Sequence, residues 1–168
     1  MHKFSELVEM STLSTLNAMN QNYELISKEL EISGSTSLVK SLQTMNLQKT
    51  IYIVGVFSFS ESMLQTALEC KNGFMQAEKE LKAKGETELV KEFEIYRAAI
   101  NVLKHGQGRS YDFLLQNKAS LSFKIKDKGK FFFNEGDVSE ITALIEVDDN
   151  FILKCTKTIQ QVCEVLGF

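Results

Sequence analysis

Apolar residues recur every three or four positions from Phe4 to about Ile32, through Leu7, Val8, Met10, Leu13, Leu16, Met19, Tyr23, Ile26 and Leu30. That period lines one face of an α-helix. Gly34 stands where a residue with left-handed backbone would end it, and the Ser/Thr-rich run from Ser33 to Ser37 predicts the start of a short helix through Leu47. A second long pattern runs from Gln48 toward Lys84 through Ile51, Val54, Phe57, Met63, Leu64, Phe74 and Leu81. As one helix it would reach roughly 50 Å, with Gly55 and Gly73 either tolerated inside it or marking a bend. Its front half is almost wholly apolar, which predicts burial on most sides, at the centre of a bundle or partly against a second copy of the chain.

After Gly85 a Thr/Glu-rich start opens a third helix with Leu89, Phe93, Tyr96, Ile100 and Leu103 on one face and Gly106 placed as its left-handed cap. The alternation LSFKIK over Leu121 to Lys126, followed by KFFF over Lys130 to Phe133, predicts a small β-hairpin turning at Asp127 to Gly129. The run Thr142 to Val147 is a candidate third strand. Asp148 or Asp149 then caps a final helix from Asn150 to Leu166. The expected fold is mainly α: a bundle of long antiparallel helices, with a small hairpin between the third long helix and the C-terminal one.

The chain has 168 residues, 43% hydrophobic and 24% charged, and contains no proline. This composition fits one folded domain over residues 1–168. No apolar run is long enough for a membrane span, and the first ten residues lack the features of a signal peptide, so a cytoplasmic protein is expected. The three cysteines, Cys70, Cys155 and Cys163, are odd in number and lie among apolar residues, which reads as core thiols in a reducing compartment. With only His2 and His105, a Cys/His zinc site has almost nothing to be built from, and neither a metal nor another cofactor is expected. The formal charge of −3 conceals a split, because residues 97–130 carry a net six positive charges and the remainder a net nine negative ones. A positive lobe can face a polyanion or can be an ordinary solvated lysine-rich loop.

The chemistry gathers at one place. Arg97, Asn101 and His105 follow one another at four-residue spacing, so they project from one side of the third helix, drifting about 40° per step. Lys104 joins them in the last two turns. Just beyond, Gly106 and Gly108 leave room for a close-approaching backbone, and Arg109 and Ser110 add phosphate donors. An imidazole can take a proton from a ribose hydroxyl or return one to a leaving oxygen without a metal, while an amide positions and a guanidinium holds phosphate. The same residues also suit a plain helix end, where a histidine complements the macrodipole and Arg, Asn and Lys face solvent.

The long apolar helix containing SFSES, followed by a helix ending in INVLKHGQGRS, resembles the HEPN superfamily, the higher eukaryotes and prokaryotes nucleotide-binding domain. The resemblance covers most of the chain and implies an α-helical bundle, often dimeric. Many members are metal-independent endoribonucleases of toxin–antitoxin, abortive-infection and other defence systems. Their signature is an arginine, four to six residues, then histidine, as in RNxxxH. Asn101 and His105 match its last two elements, and the following glycines and serine resemble what many members carry. The arginine is displaced: Ile100 occupies its usual place, and seven residues separate Arg97 from His105, one more than the signature has. Glu61 resembles an acidic residue that some members set beside the motif, and it also reads as a carboxylate partnering a cation at the core edge.

Three readings follow. In the first, His105 is the general acid/base of an RNA-cleaving protein, with Asn101 positioning and Arg97 or Arg109 stabilising phosphate. In the second, the basic lobe from Arg97 to Lys130, including Lys104, Arg109 and Ser110, binds RNA, a nucleotide or an acidic partner without turnover. In the third, the chain is a structural or regulatory dimer. The partners implied are a second copy through the long helices, RNA or a nucleotide, and a protein antitoxin.

Overall fold

The computed structural model describes residues 3–132 and 138–168. Helix α1 (Phe4–Ser33) follows the predicted face and ends at Gly34, whose φ of 55° is left-handed and whose N–H bonds the Leu30 carbonyl. Ser35 then caps α2 (Thr36–Ala67) by accepting the Ser37 N–H. The short segment expected through Leu47 and the front of the second pattern are therefore one 32-residue helix.

That pattern does not continue to Lys84. It breaks after Ala67, Glu69 turns the chain with φ 48°, and Asn72 caps α3 (Gly73–Ala83) by accepting the Met75 N–H at 3.0 Å. Gly73 shows why a glycine stands at the break: a Cβ there would lie 2.5 Å from the Glu61 carbonyl oxygen and 2.9 Å from the Gln65 nitrogen. Helix α3 thus packs its first residue onto the backbone of α2, an approach open only to glycine. Helices α4 (Thr87–His105), α5 (Arg109–Gln116) and α6 (Asp149–Leu166) complete the order, with one 3-10 turn at Lys118–Ser120. Asp148 caps α6, accepting the Phe151 N–H at 2.7 Å.

The inner face of α2 (Ile53, Phe57, Leu64) meets α3, α4 and α6 in one core cluster. Phe57, Phe74 and Phe93 form an aromatic triangle with centroids 5.2 to 6.1 Å apart, and Tyr96, Phe123 and Phe151 form another at 5.1 to 5.9 Å. Each fully buried ring contributes roughly 1.5–3 kcal/mol relative to its exposed state. Two of the three cysteines belong to this core, where burial pushes the Cys155 thiol well up and Cys163 to about 11, while Cys70 is half-buried. A polar clamp fastens the helices beside it: Lys49 reaches Asp149 at 2.7 Å, and Asn20 donates to the same carboxylate at 2.6 Å. No helix among the described residues is long and apolar enough to cross a membrane.

The expected hairpin is corrected. A turn does close between Asp127 and Lys130, with a bond from Lys130 N to Asp127 O of 3.0 Å, but no strand forms among the described residues. Ile125 pairs instead with Ile145 in one antiparallel bridge, drawing in the run expected as a third strand. The Lys126 ammonium, nearly buried, sits 4.9 Å from the Phe132 ring centroid and 3.4 Å from Glu140 Oε1. That same Glu140 oxygen accepts the Phe132 N–H at 3.0 Å. The KFFF run therefore folds over a lysine and spends a ladder donor on a carboxylate; its last member, Phe133, lies outside the described residues.

Candidate functional site

The last two turns of α4 set the site because the opposite side of the helix is anchored. Tyr96, Ala98, Ala99, Ile100 and Val102 are buried, which turns Arg97, Asn101, Lys104 and His105 outward. Ile100 is only 3% exposed. The position that an arginine would take immediately before Asn101 is thus a core position in this fold, where an unpaired guanidinium would be costly to bury.

The polar column is divided between two clefts. The first, about 280 Å³, lies between α2, the start of α3 and α4; Phe57, Phe74 and Ile100 floor it, and Ser58, Glu61, Asn72, Arg97, Asn101 and Lys104 stand around it. The second, about 340 Å³, is shallower and is lined by Asn101, His105, Arg109, Ser110 and the backbone of the Gly106–Gly108 loop. Asn101 alone lines both. The geometry therefore brings Arg97, Glu61 and Lys104 together on one side of the amide and His105, Arg109 and Ser110 on the other. No hydrogen bond links Arg97, Asn101 and His105 among the described residues.

Arg97 is already engaged. Its Nη1 lies 2.6 Å from Glu78 Oε1, and the Glu78 side chain is 12% exposed. Burial pushes the Glu78 carboxyl above its ordinary value, Glu94 adds to the rise, and the positive charges of Arg97 and Lys82 offset only part of it. Glu78 is the residue that the sequence reading missed, and a signal was present: it shares a face of α3 with Phe74 and Leu81, a carboxylate at an apolar position. Glu61, by contrast, lines the cleft without an ion pair among the described residues.

The second cleft is built by the turn between α4 and α5. Gly106 ends α4 through a bond from its N–H to the Val102 carbonyl at 2.8 Å, but its φ of 75° and ψ of −136° are not the left-handed helical cap expected; the conformation is one that favours glycine all the same. Helix α5, absent from the sequence reading, begins at once with Arg109 and is held by buried Tyr111 and Leu114. The Tyr111 hydroxyl donates to the Lys126 carbonyl at 2.9 Å. His105, Gln107 and Arg109 are exposed, so the loop offers its donors to solvent on a fixed base.

The positive lobe is smaller in the fold than along the chain. Arg97, Lys118, Lys124 and Lys126 are ion-paired with Glu78, Asp127, Glu146 and Glu140. Among the described residues Lys104, Arg109, Lys128 and Lys130 have no such partner, and two of these four stand at the clefts. Among the same residues no group of three His, Cys, Asp or Glu side chains is placed to hold a metal ion. Comparison of the chain with family models, with curated proteins and with solved structures returned no match.

Proposed function

We propose that this chain is a HEPN-like protein that binds RNA or a nucleotide through the exposed end of α4, with Lys104, Arg109 and Ser110 holding phosphate and Asn101 ordering the ligand between them. The observation that carries the reading is the cleft shared by Asn101, His105, Arg109 and Ser110, where Arg109 has no carboxylate partner among the described residues, with Lys104, likewise unpaired among them, in the adjoining cleft. Exposed cations without a competing carboxylate at an open cleft favour an anionic ligand, and phosphate contacts of this kind make binding strongly salt-dependent.

Metal-independent cleavage of RNA, in a defence or toxin–antitoxin system with a protein antitoxin, is the second reading. It is favoured by the placement of His105 and Asn101 on one cleft with Arg109, so that proton transfer and phosphate stabilisation have donors on the same surface. In this reading Arg109 takes the role of the displaced arginine, because Arg97 is held by Glu78 in the neighbouring cleft. Self-association through the long helices accompanies both readings; a dimer acting only as a scaffold is the outcome if no ligand binds.

The test is incubation of the purified protein with mixed single-stranded RNA in EDTA, scored for both retention and cleavage. Binding at low salt that Lys104→Ala and Arg109→Ala weaken supports the proposal. Cleavage lost in His105→Ala, with binding retained, selects the second reading, whereas absence of binding to RNA and to nucleotides at low salt contradicts both.

A further inference from the structure

Glu61 stands at the clefts of α4 without a role in the reading above. A carboxylate beside an RNA-binding surface repels phosphate, so its presence there calls for a different kind of contact. The side chain is half-buried and has no hydrogen bond or ion pair among the described residues. The cation expected beside it is turned away, because Arg97 reaches Glu78 at 2.6 Å instead. Its turn of α2 is nevertheless fixed: α3 seats Gly73 so closely that a Cβ there would lie 2.5 Å from the Glu61 carbonyl oxygen.

The two clefts differ in what they can take. No carboxylate lines the one that holds His105 and Arg109, which suits a phosphate. In the other, Arg97 and Lys104 are offset by Glu78 and Glu61, and buried Phe57, Phe74 and Ile100 form an apolar floor. Balanced charge above an apolar floor suits a flat, neutral ring with a polar edge. At about 280 Å³ the cleft is near the lower end of the roughly 300–1,000 Å³ of small-molecule sites, which is room for one base and not for a stack. Asn101 lines both clefts, so the base and the phosphate of one nucleotide lie on either side of its amide.

We propose that the cleft between α2, α3 and α4 is a base-reading subsite selective for guanine, with Glu61 accepting both the N1–H and the exocyclic amine of the ring. Among the RNA bases only guanine presents two adjacent donors on its Watson–Crick edge. Uracil presents one donor between two acceptors, and adenine and cytosine set their amine beside an acceptor. The two carboxylate oxygens therefore form parallel bonds with guanine and oppose a lone pair on each of the others. The Asn101 amide supplies a donor for the neighbouring O6, and bases splayed from a single strand are read along these edges. A guanine in RNA and a free guanine nucleotide carry the same edge. The proposal rests on ligand binding at the end of α4 and adds the base preferred there; Arg97 keeps its structural pairing with Glu78.

The test is the affinity, at low salt, of the full chain and of Glu61→Gln for short unstructured oligouridylates carrying one central guanine, hypoxanthine, adenine or cytosine. The wild type is expected to bind the guanine oligomer roughly 5- to 150-fold more tightly than those with adenine or cytosine. Hypoxanthine, which lacks the exocyclic amine, should fall in between, and this series needs no variant to fold. Glu61→Gln keeps the shape but turns one acceptor into a donor, and is expected to lose the ranking. Competition by GMP against AMP separates the sources: displacement by GMP at the oligomer's own concentration range assigns the subsite to the free nucleotide, and displacement only at large excess assigns it to RNA. Equal binding of all the oligomers by the wild type, or a guanine preference that survives in Glu61→Gln, would overturn the proposal and leave phosphate binding at α4 standing. No binding of any oligomer or nucleotide removes both together.

Discussion

The two halves of the polar column on α4 share a helix but differ in how the fold treats them. Around Arg97 the surroundings are packed: an aromatic floor lies below, a largely buried Glu78 holds the guanidinium at 2.6 Å, and two neighbouring helices stand close. Around His105 the surroundings are open: a glycine loop, an eight-residue helix and an exposed Arg109 that has no carboxylate partner among the described residues. A buried charge must be paired to be tolerated, and pairing takes it out of use as a ligand for something else. An exposed cation carries no such requirement. The sequence spacing that makes the column look uniform therefore conceals a structural half and a half left free to bind.

That contrast can be broken most severely from below. Phe57→Ala removes a ring that is 1% exposed and touches both Phe74 and Phe93; a loss of about 3–5 kcal/mol is expected in denaturant unfolding. Gly73→Ala strikes the same half through the backbone, since its Cβ would press on the Glu61 carbonyl; about 1–3 kcal/mol should be lost in the same assay.

Titration sharpens the contrast further. Glu78 has a raised pKa in the fold, so its contribution to stability is fully present below the ordinary value of 4.5 and is lost as pH rises through the raised one. Asp149 runs the other way. Burial would raise it, but the hydrogen bonds from Lys49 and Asn20, with the Lys49 charge, outweigh that and leave it below 3.8. Its contribution is present above 3.8 and is lost as pH falls through the lowered value. Thermal unfolding followed from pH 3 to 7 should lose the first dependence in Glu78→Gln and the second in Asp149→Asn. The smallest effect on stability is expected at the exposed side chains of the two clefts: His105→Ala, Lys104→Ala and Arg109→Ala should each stay within about 0.5 kcal/mol of wild type.

The long elements were legible because their apolar period is long and regular. Helix α1, α4 and α6 came out within a residue or two, down to Gly34 and Asp148 as their punctuation. The error over α2 and α3 arose because both helices turn apolar faces to one core, so periodicity runs across the break; the signals for that break, Asn72 before Gly73, are local and easily overridden. Helix α5 was missed because eight residues give only Tyr111, Leu114 and Leu115 as a pattern. The hairpin failed for a different reason: alternation was present, but a buried lysine and Glu140 redirected Phe132, and no local rule announces that pairing. At the site, spacing placed the residues on one side of one helix, but it could not show that Glu78 holds Arg97.

The most direct measurement of the central claim is the salt dependence of single-stranded RNA binding by the wild type and by Lys104→Ala/Arg109→Ala. The account predicts a linear fall of log K with log salt whose slope shrinks by about 0.7 for each cation removed, with affinity lowered at every RNA sequence tested. A slope identical in the two proteins, or no binding by the wild type at low salt, would contradict it.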